Sequence, residues 1–163
     1  MTKKGVFIMI KEVKGNIFDV AKTGIIIHQV NCQNRIGVGL SKEFITRYPI
    51  MKEKYHELCR RTPLLDRLGA FQAVDLSPTL IGINSFSQFN YGNARRTHKL
   101  YTDPVKLKAN ILAAVELAEA KNLPLFIPAN IGCGLAGGNW TDISRFIHKI
   151  KSPVEITIVD FSK

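Results

Sequence analysis

The 163-residue sequence predicts a mixed α/β sandwich. Three observations carry that reading. Apolar runs of strand length alternate with amphipathic stretches of helix length. The run Gly24-Ile25-Ile26-Ile27-His28-Gln29-Val30 is apolar on both faces, as a central buried strand requires. After a strand-rich start, strands alternate with helices, so the helices pack on the faces of a mixed sheet.

The elements follow in order. Val6 to Ile10 reads as a first strand and Gly24 to Val30 as the second. Asn31 to Gly39 is polar and punctuated by glycine, hence a loop. Leu40, Phe44 and Tyr48 recur at four-residue spacing, and Pro49 ends that helix. Met51, Tyr55, Leu58 and Cys59 mark a second amphipathic helix. Ala70 to Leu76 and Leu80 to Phe86 form a hairpin about Ser77-Pro78-Thr79. Asn90 to Thr102 reads as an exposed loop. Asp103-Pro104 is an N-cap followed by a first-turn proline. Leu107, Ile111, Val115 and Ala118 share one face of the helix it opens, which Asn122 and Pro124 close. Leu125 to Ala129 is a strand, Ile131 to Gly138 a glycine-rich turn, Ile143 to Ile150 a last helix and Val154 to Val159 a last strand.

Length and composition set bounds. A chain of this size is one domain, expected to span residues 1–163. Hydrophobic residues make up 45% and charged residues 22%, close to an ordinary soluble protein, which excludes disorder and collagen-like classes. No apolar run approaches the roughly 20 residues that cross a bilayer. The apolar stretch from Val6 to Ile10 is too short for a signal-peptide core. A cytoplasmic protein with no membrane partner is the expectation. The three cysteines form no C-x-x-C and the histidines no H-E-x-x-H, so no metal and no cofactor are expected.

Lysine and arginine total 23 against 13 acids, spread evenly along the chain. Such a surface suits a polyanionic partner, nucleic acid or a phosphorylated ligand, and equally a generic solvated face. Arg95, Arg96, His98 and Lys99, interleaved with Tyr91 and Tyr101, form the best nucleic-acid cluster. They also read as a solvated loop.

Two glycine clusters sit in the same strand–turn–helix setting, Arg35-Ile36-Gly37-Val38-Gly39-Leu40 and Ile131-Gly132-Cys133-Gly134-Leu135-Ala136-Gly137-Gly138. Glycine lets a backbone turn its N–H groups onto an anion at close range, and a following helix N-terminus adds partial positive charge. Two such loops on neighbouring strands could wrap a diphosphate. The alternative is a pair of tight turns. Gly132, Gly134 and Gly137 also spell G-x-G-x-x-G. A dinucleotide fold needs that motif after an early strand with several βα units following, and here only one helix and one strand remain.

His28 is either a core histidine with a satisfied partner or a ligand-facing group near the strand's C-terminal end. Asn31 either holds a ribose hydroxyl or a water, or makes the turn. Cys133, flanked by glycines with no evident base, reads as a small residue filling a tight bend.

These residues resemble the macro domain family along nearly the whole chain. Gly15-Asn16-Ile17-Phe18 is similar to its first-loop G-D-I pattern. Ile27-His28-Gln29-Val30-Asn31-Cys32-Gln33 with Gly37-Val38-Gly39-Leu40 resembles its second strand and ribose-side loop. Gln88-Phe89-Asn90-Tyr91-Gly92, with Arg96 and Tyr101-Thr102, resembles the middle segment of many bacterial members. Ile131 through Trp140 resembles their phosphate loop and helix start. Within the family, Ile27 through Arg47-Tyr48-Pro49 is most similar to fungal ADP-ribose-1''-phosphate phosphatases. It is also similar to the subclass holding the terminal ADP-ribose glycohydrolase and the antitoxin that removes ADP-ribose from DNA.

The resemblance implies a three-layer α/β/α sandwich with a mixed sheet of about six strands and an ADP-ribose cleft at the strand ends. Asn16 and Ile17 would meet adenine. Asn31, Gly37, Val38, Gly39 and Leu40 would line the distal ribose. Ile131, Gly132, Cys133, Gly134, Leu135 and Ala136 would cradle the phosphates, with Gln88 beside them. Asn16 stands where the family has an acid, Gln88 where the glycohydrolase subclass has a lysine, Ala136 where it has an acid, and Val159 where an aromatic is frequent. The implied activity is hydrolysis of a small ADP-ribose derivative, foremost ADP-ribose-1''-phosphate, with His28 for proton transfer and Asn31 to orient water. The alternatives are removal of ADP-ribose from protein or nucleic acid, and a reader that binds ADP-ribose without turnover.

Overall fold

The structure is a computed structural model and describes residues 9–162. Its strands are β1 (Lys11–Lys14), β2 (Gly24–Asn31), β3 (Phe71–Ser77), β4 (Leu80–Gln88), β5 (Leu125–Pro128) and β6 (Ile156–Asp160). Its helices are α1 (Ile17–Val20), α2 (Leu40–Arg47), α3 (Pro49–Arg61), α4 (Ala94–Thr97), α5 (Pro104–Lys121) and α6 (Trp140–His148). The sheet runs β1-β6-β5-β2-β4-β3, and every neighbouring pair is parallel except β3 with β4.

The pleat of β2 sorts its side chains into two cores. Ile25 and Ile27 pack with Leu107 and Ile111 of α5 and Ile143 and Ile147 of α6. Ile26 turns the other way, onto Phe18, Phe44 and Met51 of α1, α2 and α3. Val30 lies further along that second face, with Tyr55, Leu58 and Phe86. The result is the expected three layers around a mixed six-stranded sheet. Helix α3 approaches β4 closely at Gly82, where a Cβ would lie 2.6 Å from the Met51 sulfur.

The N-terminal strand differs from expectation. The run Val6 to Ile10 falls largely outside the described residues, and Met9 and Ile10 belong to no element. The first described strand is Lys11–Lys14, mostly exposed and paired with β6. An exposed edge strand carries no apolar alternation, and its charges guard an open edge. The segment Asn90 to Thr102 is more than a loop. Asn93 caps α4 by accepting from Arg95 N, His98 ends it in the left-handed conformation, and Gln88 bridges Thr102. A single turn is too short to leave a periodic signal.

The topology decides where a ligand can sit. Strands β5, β2 and β4 are adjacent and parallel, so their C-terminal ends share one edge of the sheet. The loops leaving them, residues 32–39, 89–93 and 129–139, meet there. Open α/β sheets bind ligands at such an edge.

Candidate functional site

The three loops enclose a cleft of about 670 Å³. Its wall takes Asn31, Gly37, Val38, Gly39 and Leu40 from the first loop and α2, Gln88 with Tyr91 and Asn93 from the β4 side, and Ile131, Gly132, Gly134, Leu135 and Ala136 from the third loop. A second cavity of about 330 Å³ adjoins it, sharing Gly39, Leu40, Pro128 and Ala129. It extends toward β6 and is lined by Ile17, Val159, Phe161 and Glu43.

The third loop has spare donors. Its carbonyls are engaged: Leu135 O accepts from Ala94 N at 2.8 Å, and Ala136 O from Tyr101 N at 2.9 Å. Several of its amides bond inside the turn, Cys133 N to Asn130 O and Gly138 N to Gly132 O. The amides of Gly132, Gly134, Leu135 and Ala136 find no acceptor among the described residues. Facing them is the start of α2, whose N-cap is Gly39 and makes no side-chain cap. A helix start without a cap leaves orphan N–H groups and partial positive charge. Two stretches of chain with unspent donors therefore line one cleft.

The loop scaffold is polar and satisfied. Gln29 donates to Gln88 Oε1 at 3.2 Å and to Thr102 Oγ1 at 2.9 Å, and its own oxygen accepts from Ser87 at 2.8 Å. Thr102 in turn donates to Gly132 O. This bracket ties β2, β4 and the third loop together. Under the first loop lies Tyr55, fully buried and stacked on Phe86. Its hydroxyl donates to Asn31 O at 2.8 Å and accepts from Arg35 N at 3.1 Å. Arg67 supports the same turn by donating to Cys32 O at 2.9 Å.

His28 does not stand free for chemistry. It touches the cleft wall, yet it is 1% exposed and points to the α2 side of the sheet beneath Phe44. Its Nε2–H donates to Asn84 Oδ1, and Nδ1 accepts from the Ser41 hydroxyl at 3.1 Å. Asn84 presents its oxygen because its Nδ2 donates to Gln72. Burial lowers the imidazole pKa to about 4, against a smaller opposing effect of the Asn84 hydrogen bond. A neutral ring with both nitrogens engaged is a poor proton carrier near pH 7. This corrects the proton-transfer expectation; His28 joins the strand to α2.

Asn31 is on the wall, but most of its side chain makes the turn. Its Oδ1 accepts from Gln33 N at 2.9 Å and its Nδ2 donates to Arg35 O at 2.7 Å, leaving one N–H to spare. Two expected ligand contacts lie off both walls. Cys133 is turned in, its thiol donating to Ile131 O, and burial pushes its pKa up to about 11. Asn16 is spent as the N-cap of α1: Oδ1 accepts from Phe18 N at 2.9 Å and Nδ2 donates to Glu43 Oε1 at 2.8 Å. Ile17 does reach the second cavity.

Glu43 and Arg35 were missed by sequence reasoning. Each is the one ionised side chain lining its cavity among the described residues, Glu43 at the β6 end and Arg35 at the β4 end. A sequence signal existed for Arg35, since Val20 to Lys42 holds no acid. No group of three or more His, Cys, Asp or Glu among the described residues could hold a metal ion. No helix among them is long and apolar enough to cross a membrane.

No family model matches the chain. Over 52 residues, 32% of the chain, it is 36% identical to an ADP-ribose 1''-phosphate phosphatase of Aspergillus oryzae. That stretch spans 26% of the fungal protein, so the chain matches about a quarter of its curated relative's length. Among solved structures it is similar to the macrodomain of Mycobacterium tuberculosis DarG, with TM-score 0.74 and 21% identity over 94% of this chain and 99% of that one. The chain has the macrodomain fold. The macrodomain likeness extends to Thermosipho africanus DarTG in complex with ADP-ribose, at TM-score 0.71 and 15% identity, covering 93% of this chain and 41% of that one. The mixed six-stranded sheet covered by helices is what this chain shares with those structures.

Proposed function

We propose that this protein binds ADP-ribose, or a small derivative of it, along the C-terminal edge of its sheet. One observation carries the reading: the amides of Gly132, Gly134, Leu135 and Ala136, without an acceptor among the described residues, line the same cleft as the uncapped start of α2. Fixed N–H donors suit a diphosphate, because they are already oriented and need no counter-charge to organise them. The adjoining cavity suits a base. Ile17, Leu40 and Phe161 are apolar walls, and Glu43 offers an acceptor to an exocyclic amine. The distal ribose then lies by Asn31 and the loop from Gly37 to Leu40.

Titration calorimetry with ADP-ribose tests this. Binding in the micromolar range that ADP or ribose 5-phosphate alone does not reproduce supports it. A cleft that stays empty at millimolar ADP-ribose overturns it.

A second reading is hydrolysis of ADP-ribose-1''-phosphate, favoured by the likeness to the fungal phosphatase. The wall offers amide donors and the spare N–H of Asn31 but, among the described residues, no free base. The attacking water would bond to phosphorus as the phosphorus–oxygen bond to the ribose breaks, one water proton passing by way of a phosphate oxygen to the leaving 1''-oxygen and the other staying on the released phosphate. Phosphate release, compared with release of ADP-ribose from protein or nucleic-acid conjugates, separates the phosphatase from a hydrolase of conjugates. No release from any of them leaves the binding reading alone.

A further inference from the structure

Arg35 is an exposed charge on the rim of the cleft. It is the one ionised side chain on the wall of the larger cavity among the described residues. Its backbone is fixed on both sides: the N–H donates to the Tyr55 hydroxyl at 3.1 Å, and the carbonyl accepts from Asn31 at 2.7 Å. Its guanidinium carbon lies 5.7 Å from the centre of the Tyr91 ring. Among the described residues no carboxylate comes within ion-pair distance of it.

Position gives this charge its meaning. Arg35 leaves β2 and Tyr91 leaves β4, so the pair closes the β4 end of the cleft. Glu43 stands at the β6 end. From end to end the site offers a carboxylate, a stretch of unspent amides and a guanidinium. We infer that Arg35 is a specificity-determining residue that selects ligands carrying a phosphate monoester at the end remote from the base. A guanidinium matches phosphate oxygens as a planar fork, and an aromatic face beside it limits its rotamers before the ligand arrives. The inference rests on the reading that an ADP-ribose-type ligand fills the cleft. A nucleic-acid strand would draw on Arg95 and Arg96 as well. Both are exposed on α4 and neither lines the cleft.

The test is calorimetric. ADP-ribose, ADP-ribose-1''-phosphate and a short ADP-ribosylated oligonucleotide are titrated into wild type, Arg35→Ala, Arg35→Lys and Arg95→Ala, with thermal melts to verify folding. Wild type is expected to prefer the phosphate-bearing small ligand at least tenfold over ADP-ribose. That ratio should fall to near one in Arg35→Ala, recover in part in Arg35→Lys and persist in Arg95→Ala. Equal affinity of wild type for the two small ligands overturns the inference, as does a ratio unchanged by Arg35→Ala. So does an Arg35 effect confined to the oligonucleotide. If wild type binds none of the three, the ADP-ribose reading itself has failed, and that outcome is distinct from binding without preference.

Discussion

His28 and Asn84 face each other in register on the parallel strands β2 and β4, and the imidazole Nε2–H donates to the amide oxygen at 2.5 Å. The pair turns a buried histidine into a neutral joint between strand and helix. Burial has lowered the His28 pKa to about 4, whereas the unfolded chain titrates near 6.5. Between those values the unfolded state binds a proton that the folded state refuses. This contribution to stability is therefore complete above pH 6.5 and is lost as pH falls from 6.5 toward 4. Its size over that window is on the order of 3 kcal/mol. Urea unfolding of wild type and His28→Gln between pH 8 and 4 checks it, and the two stability curves should converge on acidification. Parallel curves would show that His28 does not titrate as its setting demands.

Tyr55 is the hinge pin of the first loop. Its hydroxyl joins Asn31 O at 2.8 Å to Arg35 N at 3.1 Å, and burial raises its pKa, so it remains a donor throughout the working range. Tyr55→Phe keeps the stack on Phe86 and removes only the oxygen. It leaves the Arg35 N–H without its partner, at a cost of roughly 1–2 kcal/mol. Denaturant titration should show that loss. Calorimetry should show ADP-ribose affinity falling severalfold, since the loop proposed to meet the ribose is no longer fixed. Unchanged binding alongside reduced stability would mean that the loop is held by Arg67 and Asn31 alone.

Glu43 gives the second cavity its one charged side chain among the described residues, and Asn16 stands behind it. The Asn16 amide nitrogen points at it, 2.8 Å away, and Arg47 lies 3.3 Å from the same oxygen. With two donors already holding it, the carboxylate is oriented before a ligand arrives. Glu43→Ala should weaken ADP-ribose binding by about tenfold, the worth of one good polar contact, while binding of the inosine analogue changes little. Equal losses for both ligands would indicate that Glu43 shapes the pocket rather than reading the amine.

Much of the architecture was legible, for reasons visible at single residues. Ile25, Ile26 and Ile27 could only be a strand covered on both faces, and Leu107, Ile111 and Val115 only a helix packed on one. The two glycine clusters lie in the loops that line the cleft, because tight bends leave a signature in glycine spacing. Polar wiring leaves none. Nothing local says that His28 meets Asn84 across a sheet, or that Asn16 turns to Glu43, since those pairs lie 56 and 27 residues apart. The edge strand Lys11–Lys14 escaped for the opposite reason: it is mostly exposed, and its sequence obeys charge rather than burial.

The third loop allows the binding site to be separated from the fold. Gly132 has φ +68°, and a Cβ there would meet Gln29 Oε1 at 2.9 Å. Alanine at 132 is strained and presses on the bracket that holds the loop, so it should lower stability by about 1 kcal/mol or more. Gly134 differs. It has no positive φ, and nothing lies within 4 Å of a built Cβ, yet it lines the cleft beside the free amides. Its small size therefore answers to what enters the cleft rather than to the fold. Gly134→Val should melt within a few degrees of wild type and lose ADP-ribose binding by tenfold or more, because the branched side chain takes the space a diphosphate needs. Thermal melts and calorimetry on the same samples decide it: wild-type affinity in a well-folded Gly134→Val protein would remove the diphosphate from this loop.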